Sequence, residues 1–261
     1  MIIHGRHCTI NSSRKLWLPS TAPMENPCNE VLTSLFDFVF PRYCTVCGKR
    51  LLSGEEDLCL ACRADIPYTY LWKEPSPWVL SLFYYNDVSP YRKLALSVKY
   101  MGNSGLGVRL GRLLGIRAVG SPSLRDGIDA VAPVPLHWSR KWKRGYNQSE
   151  KIAEGFVEGY GSTGAETPLL LPRLLQRNRR TASQTGIDAG LKSKNVKGAF
   201  SPGAESVVLG RLLEEKKTVR VLIIDDTCTS GATLLACAGA LKPYGPNLEI
   251  LFASVAKVRE D

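Results

Sequence analysis

The sequence predicts an α/β fold, a mainly parallel sheet with flanking helices, preceded by a small cysteine-rich module. Three observations predict it. From residue 80 onward, short apolar runs rich in branched residues alternate with helix-forming stretches, the order that builds parallel strands joined by helical crossovers. One run, Val221, Leu222, Ile223 and Ile224, has no polar alternation, as expected of a central strand covered on both faces. Two Cys-x2-Cys pairs stand upstream of the first strand.

The chain has 261 residues, 44% hydrophobic and 22% charged, enough for a full core with a small appended module. With 34 Lys and Arg against 24 Asp and Glu, the formal net charge is +10, which favours an anionic ligand or partner.

Taken in order, residues 1–23 are polar and aperiodic and lack the continuous apolar stretch of a secretory signal. They read as disordered or as preceding the natural start, for which Met24 is the candidate. The apolar cluster at residues 31–40 is interrupted by Thr33, Ser34 and Asp37 and suits an amphipathic helix, too short to span a bilayer. No membrane insertion and a cytoplasmic location are expected, and in a reducing compartment no disulfide is expected for Cys8 or Cys28.

Cys44 and Cys47, then Cys59 and Cys62, form two knuckles joined by a Gly-containing, hairpin-like stretch. Four thiolates at this spacing suit one tetrahedral zinc ion, with an iron–sulfur centre or redox-active thiols as the alternatives. With all four positions taken by thiols, a zinc here is structural: it folds a segment too small to have its own core. The module is expected over residues 24–70 and the main domain over 71–261, with the Pro- and aromatic-rich stretch 66–78 as linker or crossover.

Residues 80–85 read as the first strand. A helix over 90–100 follows, with Ser89 as N-cap, Pro90 at its first position and Gly102 beyond its end; a second covers 106–116. A strand over 128–134 ends in Pro133-Val134-Pro135, followed by a basic run, Arg140, Lys141, Lys143 and Arg144, and a helix from 148 to 156. Residues 169–175 read as strand or crossover, 177–200 as a basic Gln-containing segment, 202–215 as a surface connection and 250–258 as the last strand.

The stretch from Val221 to Leu235 carries the chemistry. Asp225 and Asp226 stand at the carboxyl end of the strand, where open α/β sheets bind ligands. The loop Thr227, Cys228, Thr229, Ser230, Gly231, Ala232, Thr233 offers hydroxyls, a permissive glycine and the N–H groups of a helix start, the requirements of a phosphate monoester. The two acids can accept hydrogen bonds from neighbouring ribose hydroxyls. A strand ending in Asp-Asp also occurs in P-loop ATPases, but the one Gly-Lys pair, Gly48-Lys49, is followed by Arg50 and makes no P-loop. The stretch resembles the phosphoribosyl-pyrophosphate (PRPP) signature of type I phosphoribosyltransferases.

Five motifs in order extend the likeness: FPRYCTVCG with the second cysteine pair, Lys99-Tyr100 followed by Gly102, APVPLHWSRKWKRGYNQSEKIA, Gln184 followed by NVKGAF, and IIDDTCTSGATL. Together they resemble the ComF family of phosphoribosyltransferase-like competence proteins. The resemblance implies a type I phosphoribosyltransferase fold with a zinc-bearing N-terminal extension, PRPP as ligand with Mg²⁺, and a role in DNA uptake or utilisation beside a helicase-like partner. It also implies that Pro133, Val134 and Pro135 approach the pyrophosphate. Two positions depart from the family: Thr227-Cys228 replaces the usual valine and threonine, and Lys192 stands where arginine is common. The first removes a hydroxyl but keeps the backbone donors; the second removes a bidentate contact.

The activity expected is transfer of a phosphoribosyl group with release of pyrophosphate; the alternative is a non-catalytic scaffold binding PRPP, a nucleotide or single-stranded DNA. The basic run, interleaved with Trp138, Trp142 and Tyr146, has two readings. In the preferred one it is a solvated loop that draws PRPP, with the aromatics packed inward. In the other it follows a single strand of nucleic acid by charge and stacking.

Overall fold

The computed structural model describes residues 40–74, 78–100, 103–124, 126–178 and 198–259. The readings of residues 1–39, Gly102, Gln184, Lys192 and Asn195 to Lys197 fall outside them. Tyr43–Asp261 forms one compact unit.

The elements are α1 (Leu60–Ala64), β1 (Leu80–Tyr85), α2 (Arg92–Tyr100), α3 (Ser104–Ala118), β2 (Ala130–Pro133), α4 (Trp138–Arg144), α5 (Gln148–Gly161), β3 (Leu169–Leu170), β4 (Leu175–Arg177), β5 (Phe200–Pro202), α6 (Ser206–Glu215), β6 (Val219–Cys228), α7 (Ala232–Leu241) and β7 (Leu248–Val258). Among the described residues, five strands form one sheet in the order β1-β7-β6-β2-β3, every neighbour parallel. A separate antiparallel pair joins β4 to β5.

The apolar run of β6 alternates between two cores. Leu222 and Ile224 face the cluster built with α3 and α5, while Val219, Val221 and Ile223 face the cluster that includes Leu209 of α6 and Leu234 and Cys237 of α7. Both faces are therefore covered, as the unbroken run requires. On the first face α3 and α5 touch backbone to backbone: a Cβ at Gly111 would fall 2.1 Å from the Ile152 carbonyl oxygen, and one at Gly155 1.9 Å from that of Val108.

Several elements differ from the sequence reading. Asn103, not a residue of the first turn, caps α3 by accepting from the Leu106 N–H (2.9 Å), so the helix starts earlier. Residues 202–215 are not a plain surface connection, because Leu209 anchors α6 in the second core. The segment 66–69 pairs along the outer edge of β1, through Tyr84 N–H to the Pro67 carbonyl (2.9 Å) and Thr69 N–H to that of Leu82 (3.2 Å), and so covers a strand edge. The basic run is helical rather than a loop.

Candidate functional site

The strand order decides where the crevice lies. From β2 the chain passes through α5 outward to β3; from β6 it passes through α7 to β7 on the other side. The loops leaving β2 and β6 diverge, and the crevice between them at the strands' carboxyl ends is the topological switch point of the sheet. Pro133 pairs with Ile224, one residue before Asp225, so the Pro133-Val134-Pro135 turn and the acid pair lie side by side. The turn is held by Val134 N–H to the Ile224 carbonyl (2.8 Å) and by Asn147 Nδ2 donating to the Val134 carbonyl (3.1 Å).

Strand β6 runs on to Cys228, so both acids are strand residues, and only Thr229, Ser230 and Gly231 form the loop before α7. The two carboxylates are not equivalent. Asp225 Oδ1 accepts from Ser149 Oγ (3.0 Å) and from the Asp226 N–H (2.8 Å). Burial, and after it the charge of Asp226, push the Asp225 carboxyl up to about 7. Asp226 instead pairs with Lys99 Nζ at 3.3 Å. Burial alone would lower the Lys99 ammonium, but the negative charges led by Asp226 outweigh it and hold the group above its ordinary value. Burial raises the Tyr85 phenol, keeping it neutral beside them.

Gly231 caps α7 in the left-handed conformation, φ +72°. The N–H groups of the first turn of a helix have no intrahelical partner and draw anions. Thr229, Ser230, Ala232 and Thr233 surround this start; the Thr227 backbone is still in the strand. The Cys228 thiol is buried in the second core, so what this position offers a ligand is backbone. Trp78 lies against Gly231: a Cβ there would meet its Cη2 at 1.9 Å.

The basic run sits on α4, directly after the turn. Trp138 and Trp142, one helical turn apart, are 73% and 88% exposed, which overturns the expectation that these aromatics pack inward. Tyr146 is half-buried and donates to the Val98 carbonyl (2.9 Å). Arg144 reaches Gln148 Oε1 at 3.0 Å. Arg140, Lys141 and Lys143 are placed here by their backbone in α4.

Sequence reasoning missed Lys99, Ser149, Tyr85 and Trp78 as site residues. Lys99 had a signal: it falls one turn after Ala95 on the face where Leu94, Ala95 and Val98 are buried, an unusual place for a lysine without a partner. Ser149 lies within one of the quoted motifs, but its bond to Asp225 had no local signal, because that partner lies 76 residues away.

The Sγ atoms of Cys44, Cys47, Cys59 and Cys62 lie within 4.8 Å of one another, which fits one tetrahedral ion. The first knuckle turns through Gly48 N–H to the Cys44 carbonyl (2.9 Å), with Gly48 at φ +74°. In the second, α1 starts after Cys59 and brings Cys62 round. The module is tied to the α2–α3 region: Asp57 accepts from Asn103 (2.8 Å) and Arg109 (2.5 Å), Lys93 Nζ donates to the Val46 carbonyl (3.1 Å), and Tyr91 Oη to that of Cys62 (3.0 Å).

Residues 113–261, which hold β2, β6, the acid pair and the loop, match the family model described as "Phosphoribosyl transferase domain". The chain belongs to the phosphoribosyl transferase domain family. In this phosphoribosyl transferase domain the matched region begins within α3, and upstream of it residues 35–74 match a double zinc ribbon domain, so the four cysteines support structural zinc. The chain is similar to Competence protein F of Haemophilus influenzae, 27% identical over 210 residues, covering 77% of this chain and 85% of that protein. It is also similar to the DNA utilization protein YhgH of Escherichia coli (strain K12), 26% identical over 210 residues, and of Salmonella typhi, 27% over 211 residues, with the same shares covered. These relatives agree with the ComF likeness of the motifs.

Proposed function

We propose that the crevice binds PRPP and transfers its phosphoribosyl group to an acceptor, releasing pyrophosphate. The observation that carries this is the meeting, at the switch point between β2 and β6, of an acid pair with a glycine-capped helix start and the Pro133-Val134-Pro135 turn. The acids would accept from the ribose hydroxyls, the loop and first turn of α7 would hold the 5′-phosphate, and the turn would approach the diphosphate. At C1 the bond to the diphosphate oxygen breaks as the bond to the acceptor forms. Mg²⁺, carried by the diphosphate, would offset its charge as it leaves. The chain's own part is to position and to stabilise charge.

The names of the relatives support a role in DNA uptake or utilisation. A helicase-like partner and a cytoplasmic location belong to the same proposal and rest on the ComF resemblance of the motifs. No helix among the described residues is long and apolar enough to cross a membrane.

The test is incubation with PRPP, Mg²⁺ and a panel of bases and amines: acceptor-dependent pyrophosphate release is expected, and release without an acceptor would mean hydrolysis only. In calorimetry, Asp225→Asn with Asp226→Asn should abolish PRPP binding, because each acceptor to a ribose hydroxyl contributes about 1.5–3 kcal/mol. Unchanged affinity in that double variant would refute the assignment.

A second reading has its own observation. The exposed Trp138 and Trp142 on basic α4 suit a scaffold that stacks on single-stranded DNA, with PRPP or a nucleotide as bound signal.

A further inference from the structure

We infer that Lys99 is a specificity-determining residue of the acid pair: its ammonium holds the place beside Asp226 that a bare divalent cation would otherwise take, and leaves the pair to accept from a ribose diol. The diol rests on the PRPP reading above; the charge argument does not.

Two adjacent carboxylates in a crevice are ordinarily a place for a hard divalent cation. Here Lys99 Nζ is 3.3 Å from Asp226, with the two side chains only 23% and 15% exposed, so solvent screens the pair weakly. The ammonium is held by its helix. At the start of α2, Tyr91 and Lys93 bond the carbonyls of Cys62 and Val46; at its end, Val98 and Lys99 offer carbonyls to Tyr146 (2.9 Å) and Gln148 (3.5 Å). Of the other groups facing the pair, Tyr85 is neutral, Asp225 is the second carboxylate and adds its negative charge beside Lys99 while accepting from Ser149, and Arg92 adds positive charge at longer range beside Tyr85.

A dication entering this site meets a fixed positive charge within a few ångströms and must displace it from Asp226. A neutral diol meets no such repulsion and brings only hydrogen-bond donors. It follows that Mg²⁺ enters as part of the PRPP complex and does not load the acid pair beforehand.

The experiment is Mn²⁺ binding without PRPP, read by loss of the free-ion signal in electron paramagnetic resonance, on the full-length, zinc-loaded protein. Wild type should show no site at the acid pair. Lys99→Met, and the polar Lys99→Gln as a check on folding, should each gain one Mn²⁺ per chain with at least tenfold tighter binding than wild type. Lys99→Arg should behave as wild type, and Asp226→Asn in the Lys99→Met background should erase the gain. No gain in either neutral variant, a gain that survives Asp226→Asn, or a Mn²⁺ site on the wild-type pair overturns the inference. Calorimetry with PRPP and Mg²⁺ on wild type reads the ligand separately: no binding there, with the Mn²⁺ pattern intact, sinks the PRPP reading and leaves the role of Lys99 standing.

Discussion

The indole of Trp78 lies against Gly231, the left-handed residue that starts α7, so close that a Cβ would fall 1.9 Å from its Cη2. The ring is also edge-on to Phe252 at 6.0 Å, which pins it over the loop. Gly231→Ala is opposed twice, by the ring and by φ +72°. It should weaken PRPP binding more than about tenfold, the effect of ~1.4 kcal/mol. Trp78→Leu in the same chain should recover only part of it, since the dihedral remains. Calorimetry on the three proteins checks this; wild-type affinity in Gly231→Ala would show that the loop does not hold the phosphate.

Asp225 makes stability depend on pH. Its carboxyl is raised from 3.8 to about 7, so the folded state binds the proton more tightly than the unfolded chain. The stability this confers is complete below the unfolded value and is lost as pH rises from about 4 to about 7. Asp225→Asn has no such titration. Its melting temperature, measured by scanning calorimetry, should gain on that of wild type between about pH 5 and pH 8; parallel profiles would refute the assigned shift.

Purified protein should hold about one zinc per chain. Cys59→Ser should lose it, and loss of the metal should loosen the α2 start held by the Val46 and Cys62 carbonyls. PRPP binding should remain measurable. Metal analysis and hydrogen exchange over residues 91–100 give the two readouts; iron in place of zinc, or full metal retention in the variant, would refute the assignment.

Gly155→Ala should destabilise the protein by about 1–3 kcal/mol, because the new methyl meets the backbone of α3 rather than a side chain that can move. Gly210→Ala on α6 is the control. Nothing lies within 4 Å of its Cβ, so it should be neutral or stabilising by up to about 1 kcal/mol through helix propensity. Denaturant titration of both distinguishes close packing from propensity.

If α4 binds single-stranded DNA, log affinity against log salt should fall with a slope of about −3, from roughly 0.7 per contact over four phosphates. Replacing Arg140, Lys141, Lys143 and Arg144 with alanine should flatten it, and Trp138→Ala with Trp142→Ala should lower affinity without changing it. A slope that survives the quadruple variant excludes this helix as the nucleic-acid site. A fall in PRPP affinity instead would favour the charge-drawing role.

Much of the site was legible in the chain because its signals are local. The unbroken apolar run 221–224 needs a strand covered on both faces, the acids follow it directly, and Gly231 permits the one backbone conformation that starts α7. The cysteine spacing is likewise local, and the four Sγ atoms converge as it requires. Element ends were less legible: the strand extends through Asp225 to Cys228 because pairing with β7 continues to Lys257, and a neighbour's register leaves no mark on the strand's own sequence.

The sequence by itself determined the α/β class, the acid pair at a strand end, the helix-start loop and the four-cysteine set, since each depends on periodicity or spacing within about twenty residues. Only the tertiary structure decided that Trp138 and Trp142 face solvent, that Trp78 covers Gly231, and that Asp225 and Asp226 differ. The reason for that difference is long-range. Ser149 and Lys99 come from helices 76 and 127 residues before their partners in the chain, and only the crossover topology brings one to each carboxylate.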